Sequence, residues 1–192
     1  SLISLDSRNL STMKTCHKIG VDIFNDITAF KEKNKIEFIS KINAPIIILH
    51  MQKEPRNMQI NPKYSFAPID IYKFFKKKIT DLTKAGVKTS NIVIDPGIGF
   101  GKTLTDNLNI LKYLPLLHGL GVPILIGVSR KSLIGDLTAH NYKLRGKNKK
   151  MIKPSKRLSG SLAFAIHANM SGVQILRTHD VFETNQAFLC QK

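Results

Sequence analysis

Three polar residues stand where short apolar runs give out: Asp6 after residues 2–5, Asn25 after residues 21–24 and Asp95 after residues 92–94. Taken singly, an Asp in such a place is more often a helix cap or turn former than a functional group. Brought to one rim, the set could recognise a flat heterocycle. A carboxylate accepts from an amino group and an adjacent ring N–H together, and a carboxamide offers both a donor and an acceptor. Arg177 and His179 follow the run 173–176, and strand alternation points both to one side, where they could hold a phosphate or diphosphate. The plainer alternative for these two is an ion pair with Asp180 or Glu183. Ser129-Arg130-Lys131-Ser132 opens a helix after the run 124–128, which puts Lys131 and the hydroxyls at a helix end suited to anions.

The stretch Pro96-Gly97-Ile98-Gly99-Phe100-Gly101-Lys102-Thr103 matches neither nucleotide motif. A P-loop would need Gly at Pro96, and the dinucleotide fingerprint would need Gly at Lys102. It reads either as a turn bringing backbone close to a ligand over Asp95 or as a glycine-rich turn without one. His17, His118, His140 and His167 form no metal-ligand spacing and are read as incidental. Cys16 and Cys190 allow neither a disulfide framework nor a thiolate metal cluster, which fits a reducing cytoplasm.

The apolar runs, with residues 46–49 among them, are strand-length, rich in Ile and Val, and too continuous for a sheet with one wet face. Buried parallel strands are predicted. Helical patterns lie between them at residues 10–19, 36–42, 68–85, 106–114 and 158–171. The clearest, 68–85, has Pro68 at its start, Ile71, Phe75, Ile79 and Leu82 on one face, and Gly86 as its stop. Such alternation implies right-handed βαβ crossovers in either an open doubly wound sheet or a closed barrel. Polar ends on several strands favour the barrel, since an open sheet concentrates its site at one crevice.

The 192 residues suffice for a sizeable core. The longest apolar stretch, 113–128, is broken by Pro115, His118, Gly119, Gly121 and Pro123, so no membrane span is expected. The opening residues lack the features of a signal peptide, and the chain reads as beginning within a domain. The formal charge of +17 would attract phosphate-bearing partners, nucleic acid first among them. Residues 138–157, however, hold eight of the cations and no acid, which makes this stretch read as a basic surface-loop insertion. Lysine outnumbers arginine 24 to 6, and arginine is the residue of specific base or phosphate readout. Nucleic acid is therefore not the expected partner.

Together these motifs resemble the dihydropteroate synthase family. The segments that carry the resemblance are Ile3-Ser4-Leu5-Asp6-Ser7, Asp22-Ile23-Phe24-Asn25-Asp26, Leu49-His50-Met51-Gln52, Asn57-Met58-Gln59, Asp95 through Lys102, Gly127 through Ser132, Arg157-Leu158-Ser159-Gly160-Ser161 and Arg177 through Val181. The resemblance implies a TIM (β/α)8 barrel, α/β in class, forming one pterin-binding domain over residues 1–192. It implies condensation of 4-aminobenzoate with 6-hydroxymethyl-7,8-dihydropterin diphosphate to 7,8-dihydropteroate and diphosphate in folate biosynthesis, with Mg2+ as cofactor and a cytoplasmic homodimer as the expected form. By position, Asp6, Asn25, Met51, Asp95, Lys131 and Arg177 would bind the pterin. Phe100, Lys131 and Ser132 would border the aminobenzoate, and Arg177 and His179 would hold the diphosphate. Asp6, Asp95, Lys131 and Arg177 would be catalytic.

The family's early Asn-x-Thr-Pro-Asp-Ser-Phe and Ser-Thr-Arg-Pro segments are absent, and Lys53 stands where many members have Gly. A TIM barrel takes about 250 residues, so the chain reads as six βα units lacking the first two strands, with the family's metal-binding Asn among the missing residues. The isolated chain is expected to form no dihydropteroate. Two alternatives stand beside it: a pterin-binding, corrinoid-dependent methyltransferase and a noncatalytic basic remnant that binds nucleic acid. The Ser-Arg-Lys-Ser and Arg-x-His-Asp matches favour the synthase.

Overall fold

The structure, a computed structural model, describes residues 1–147 and 151–191. Six short strands alternate with helices: β1 (Ser4–Asp6), α1 (Leu10–Lys18), β2 (Ile23–Asp26), α2 (Lys33–Lys41), β3 (Ile46–Leu49), α3 (Ala67–Lys84), β4 (Ile92–Asp95), α4 (Leu104–Lys112), α5 (Leu114–Leu117), β5 (Leu125–Ile126), α6 (Ser132–Leu144), α7 (Leu158–Met170), β6 (Ile175–Leu176) and α8 (Val181–Gln191). β1 to β4 pair in chain order and in parallel, β5 pairs with β6, and an Ile94–Ile124 bridge joins the two groups. Every strand thus neighbours the next one in sequence. This is the order of a (β/α)8 barrel, here incomplete, with β1 and β6 as edges.

The period of two along each strand separates two layers. Phe24, Ile46, Ile48, Ile92, Ile94, Ile124 and Ile126 face the helices in the main core. Ile23, Ile47, Val93 and Leu125 pack together on the other face, the inside of the barrel. β1 and β6 depart from the expectation of buried strands: Ser4 and Asp6 are exposed and Ile175 is 38% exposed. The cause is their place at the two edges, where a neighbour covers only one side.

Local chemistry fixes the helix ends. The Asn9 side chain caps α1 by accepting the Ser11 N–H at 2.9 Å. Thr103 and Asp106 form a reciprocal capping box on α4. α3 keeps the predicted face, with Ile71, Phe75 and Leu82 fully buried, each contributing about 1.5–3 kcal/mol of hydrophobic stabilisation. The basic segment differs from expectation in its first part: residues 138–144 continue α6 rather than opening a loop, and the helix runs out just before Gly146, whose φ is +68°. Lys149 and Lys150 lie outside the described residues.

Candidate active site

Asp95, the last residue of β4, is fully buried and shares the inner face with Val93. Its Oδ1 accepts the Gly97 N–H at 2.8 Å and its Oδ2 accepts from Arg177 Nη2 at 2.9 Å. Arg177 comes from the end of β6 and lies across Gly127, where a Cβ would sit 3.1 Å from its Nε. Its other nitrogen, Nη1, is 3.9 Å from Asp6 Oδ2, so residues following or ending β1, β4 and β6 meet at one guanidinium. Asn25 faces inward between Asp6 and Ile47. Its Oδ1 is the one buried side-chain polar atom, among the described residues, that lacks a hydrogen-bond partner.

Adjacent residues in β2 illustrate how alternation sorts function from structure. Asp26 points the other way, into the helix layer, where it accepts from Thr28 N–H at 2.8 Å, Phe30 N–H at 3.1 Å and the buried Lys35 ammonium at 3.2 Å. It is a structural ion pair, while its neighbour Asn25 is left open to the barrel.

Lys131 stands at the N-cap position of α6, and its ammonium donates to the Ile98 carbonyl and lies 5.0 Å above the Phe100 ring. Burial pulls its pKa down to about 8, Asp95 opposing and Arg177 adding to the fall. The preceding Arg130 has a φ of +57° and is held there by its N–H donating to Ser161 Oγ at 3.0 Å and by Arg157 donating to its carbonyl at 2.9 Å. His179 Nδ1 lies 2.9 Å from Ser129 Oγ. Asp180 pairs with Arg130, so the plainer alternative for Arg177 and His179 does not hold for Asp180. Ser132 opens α6 exposed to solvent.

Met51 is set apart from this constellation. It lines an open cleft of about 850 Å³ over the first three strand ends, together with Arg8, Leu49, Phe74 and Lys78. None of Asn25, Asp95, Lys131 or Arg177 borders that cleft. The polar and charged groups that converge on the buried Asp95, not this cleft, define the candidate site.

Sequence reasoning gave no role to two groups that support the site, His50 and Lys102. The Lys102 ammonium bonds to the His50 ring at 3.1 Å, the His50 carbonyl at 3.1 Å and the Phe100 carbonyl at 2.9 Å. Both stood inside the quoted motifs, but neither type nor spacing distinguished them from surface residues. Among the described residues no group of three or more His, Cys, Asp or Glu side chains could hold a metal. Asp95 is already engaged by Gly97 and Arg177, so the residues present do not make a Mg2+ site.

Six parallel βα units with polar groups gathered on the inner rim at the strand ends define an incomplete TIM barrel. The family model described as pterin binding enzyme matches residues 1–179, and the chain belongs to that family. It is 37% identical over 185 residues to dihydropteroate synthase of Escherichia coli K12, covering 96% of this chain and 61% of that protein. Among solved structures, Yersinia pestis dihydropteroate synthase with a sulfonamide drug complex matches with a TM-score of 0.88 at 35% identity, over 98% of this chain and 64% of that one. The Xanthomonas albilineans enzyme in complex with 7,8-dihydropteroate matches with a TM-score of 0.85 at 30% identity, over 99% and 65%. The chain therefore spans about three-fifths of the length of the curated relatives it matches. No helix among the described residues is long and apolar enough to cross a membrane.

Proposed function

We propose that this chain carries the pterin site of a dihydropteroate synthase, the enzyme that joins 4-aminobenzoate to 6-hydroxymethyl-7,8-dihydropterin diphosphate. The observation that carries the reading is the open Asn25 Oδ1 on the inner face beside the Asp6–Arg177–Asp95 cluster. A buried acceptor left unpaired is destabilising by about 1–3 kcal/mol, and a pterin N–H supplies the missing donor.

Asp95 Oδ2 accepts from Arg177, and the 2-amino-4-oxo edge of a pterin presents the same pair of N–H groups as a guanidinium. A pterin on Asp95 displaces Arg177, which then joins His179 on the diphosphate. The Lys131 ammonium meets the ring's oxo edge, and Phe100 and Ser132 border the aminobenzoate. Reaction requires the amine lone pair to form a C–N bond to the pterin methylene as the C–O bond to diphosphate breaks. Positive charge growing on the methylene is stabilised by the Asp6 and Asp95 carboxylates, and negative charge on the departing diphosphate by Arg177 and His179. No general base is needed, because a neutral arylamine is already nucleophilic; its proton leaves to solvent.

Mg2+ use and a homodimer enter this reading from the family alone, and a reducing cytoplasm is supported by the free Cys16 and Cys190. Calorimetry with 6-hydroxymethyl-7,8-dihydropterin tests the reading. The wild-type chain is expected to bind, and Asp95→Ala and Asn25→Leu to abolish binding while far-ultraviolet circular dichroism stays unchanged. Binding that persists in both folded variants would sink the site.

A further inference from the structure

Lys102 is a buried cation at the site's edge that the proposed chemistry does not use. It is 4% exposed and makes no ion pair among the described residues. A buried ammonium without a carboxylate partner is destabilising, and a neutral side chain of similar size commonly relieves the penalty. Its three bonds are all to one small region: the His50 ring and carbonyl at the end of β3, and the Phe100 carbonyl in the glycine-rich turn. The same two segments press together at Gly97, where a Cβ would lie 2.0 Å from the His50 carbonyl oxygen. Beyond the clasp, the turn presents the Phe100 ring and the Ile98 carbonyl, and these two groups seat Lys131.

We propose that Lys102 is a positioning residue: by clasping the glycine-rich turn to the end of β3, it sets the Phe100 ring and Ile98 carbonyl that aim Lys131 at the pterin. The inference rests on the pterin-site reading and adds to it a group that touches no substrate. Stability alone does not account for a lone buried cation, whereas an aiming role does. The groups facing Lys102 electrostatically are His50, Asp95, Lys131 and Asp106, and burial brings its own pKa to about 7. Deprotonation removes one of the ammonium's donors and its charge-assisted pull on the His50 and Phe100 carbonyls, so the clasp loosens.

The experiment compares the wild-type chain with Lys102→Met, measuring urea stability and 6-hydroxymethyl-7,8-dihydropterin affinity by calorimetry from pH 6 to 9. Lys102→Met is expected to be as stable as wild type or more so, yet to bind roughly ten- to a hundredfold more weakly, the effect of slight misplacement of a contact group. Wild-type affinity is expected to weaken past about pH 7 with Lys102 and again past about pH 8 with Lys131. The variant keeps only the second step. Unchanged affinity, an unchanged pH profile, failure to fold, or a stability loss in step with the affinity loss makes Lys102 merely structural and overturns the proposal. If the wild-type chain binds no pterin, the site reading fails, and amide exchange then decides on Lys102: faster exchange of residues 97–101 in a variant of undiminished stability supports the clasp, and unchanged exchange there refutes it.

Discussion

His50 shows how a residue can stand inside a motif and still be missed for its role. Its ring is 7% exposed, packs edge-on against Phe74 at 4.8 Å and meets the Lys102 ammonium, and burial first, then Lys102, pull its pKa down to about 3. An ordinary His titrates near pH ~6.5. Between those two values the unfolded chain binds a proton at this residue that the folded chain does not, so stability falls as the pH drops through the window. Lys102, lowered to about 7, acts with the same sign at alkaline pH: the unfolded chain holds the extra proton, and stability rises from pH 7 toward the ordinary lysine range. Urea midpoints taken between pH 6.5 and 4 are expected to fall less steeply in His50→Phe, which keeps a ring against Phe74, than in wild type; equal slopes would refute the assignment. The sequence put Asp6, Asn25 and Asp95 at strand ends because the apolar runs stop there, Arg177 and His179 on one side through the strand period of two, and Lys131 at a helix start. It could not find the His50–Lys102 clasp, since the two residues are far apart in sequence and meet only through the packing of two strand ends.

Among the elements, the glycine-rich turn after β4 is the one whose geometry leaves least freedom. Gly97 has a φ of +67° and sits against the His50 carbonyl oxygen, so Gly97→Ala meets both a left-handed backbone and a backbone clash. Gly121 has a similar φ of +70° but nothing within 4 Å of an added Cβ. Gly121→Ala is expected to lose about 1–2 kcal/mol, the left-handed penalty alone, and Gly97→Ala clearly more, with loss of pterin binding. Urea unfolding of the pair separates the two contributions; equal losses would show that the turn yields. Lys53 also has a left-handed φ, +61°, and its ammonium donates to the Ile60 carbonyl. Element types were legible from apolar runs and helical periodicity, and β3 from 46 to 49 matched to the residue. The basic stretch misled because none of residues 138–144 of α6 is buried, the helix's buried face being only Leu133, Ile134 and Gly135, so no apolar period marks its second half.

At the scale of the molecule, chain-ordered parallel pairing makes stability graded across the array. β2, β3 and β4 each have neighbours on both sides, whereas β1 and β6 have one, and β5 is tied to β4 through a single bridge. β3 is buried throughout and carries the fully enclosed Ile46 and Ile48, while the two edges expose Leu2, Ile3 and Ile175. Amides that open only on global unfolding should therefore cluster in β3 and β4, with the edges opening at a fraction of that free energy. The site straddles this gradient: Asp95 stands on the rigid centre, and Asp6 and Arg177 stand on the two edges. A ligand bridging them ties edge to centre, and stabilises most where the free chain is weakest. Hydrogen exchange is expected to show residues 46–49 and 92–95 slowest and 4–6 and 175–177 fast in the free chain. Adding 6-hydroxymethyl-7,8-dihydropterin should slow the edge segments and leave the centre nearly unchanged. Edge amides as slow as those of β3 without ligand would mean that both edges are covered in solution, and an effect of ligand confined to the centre would place the binding site away from Asp6 and Arg177.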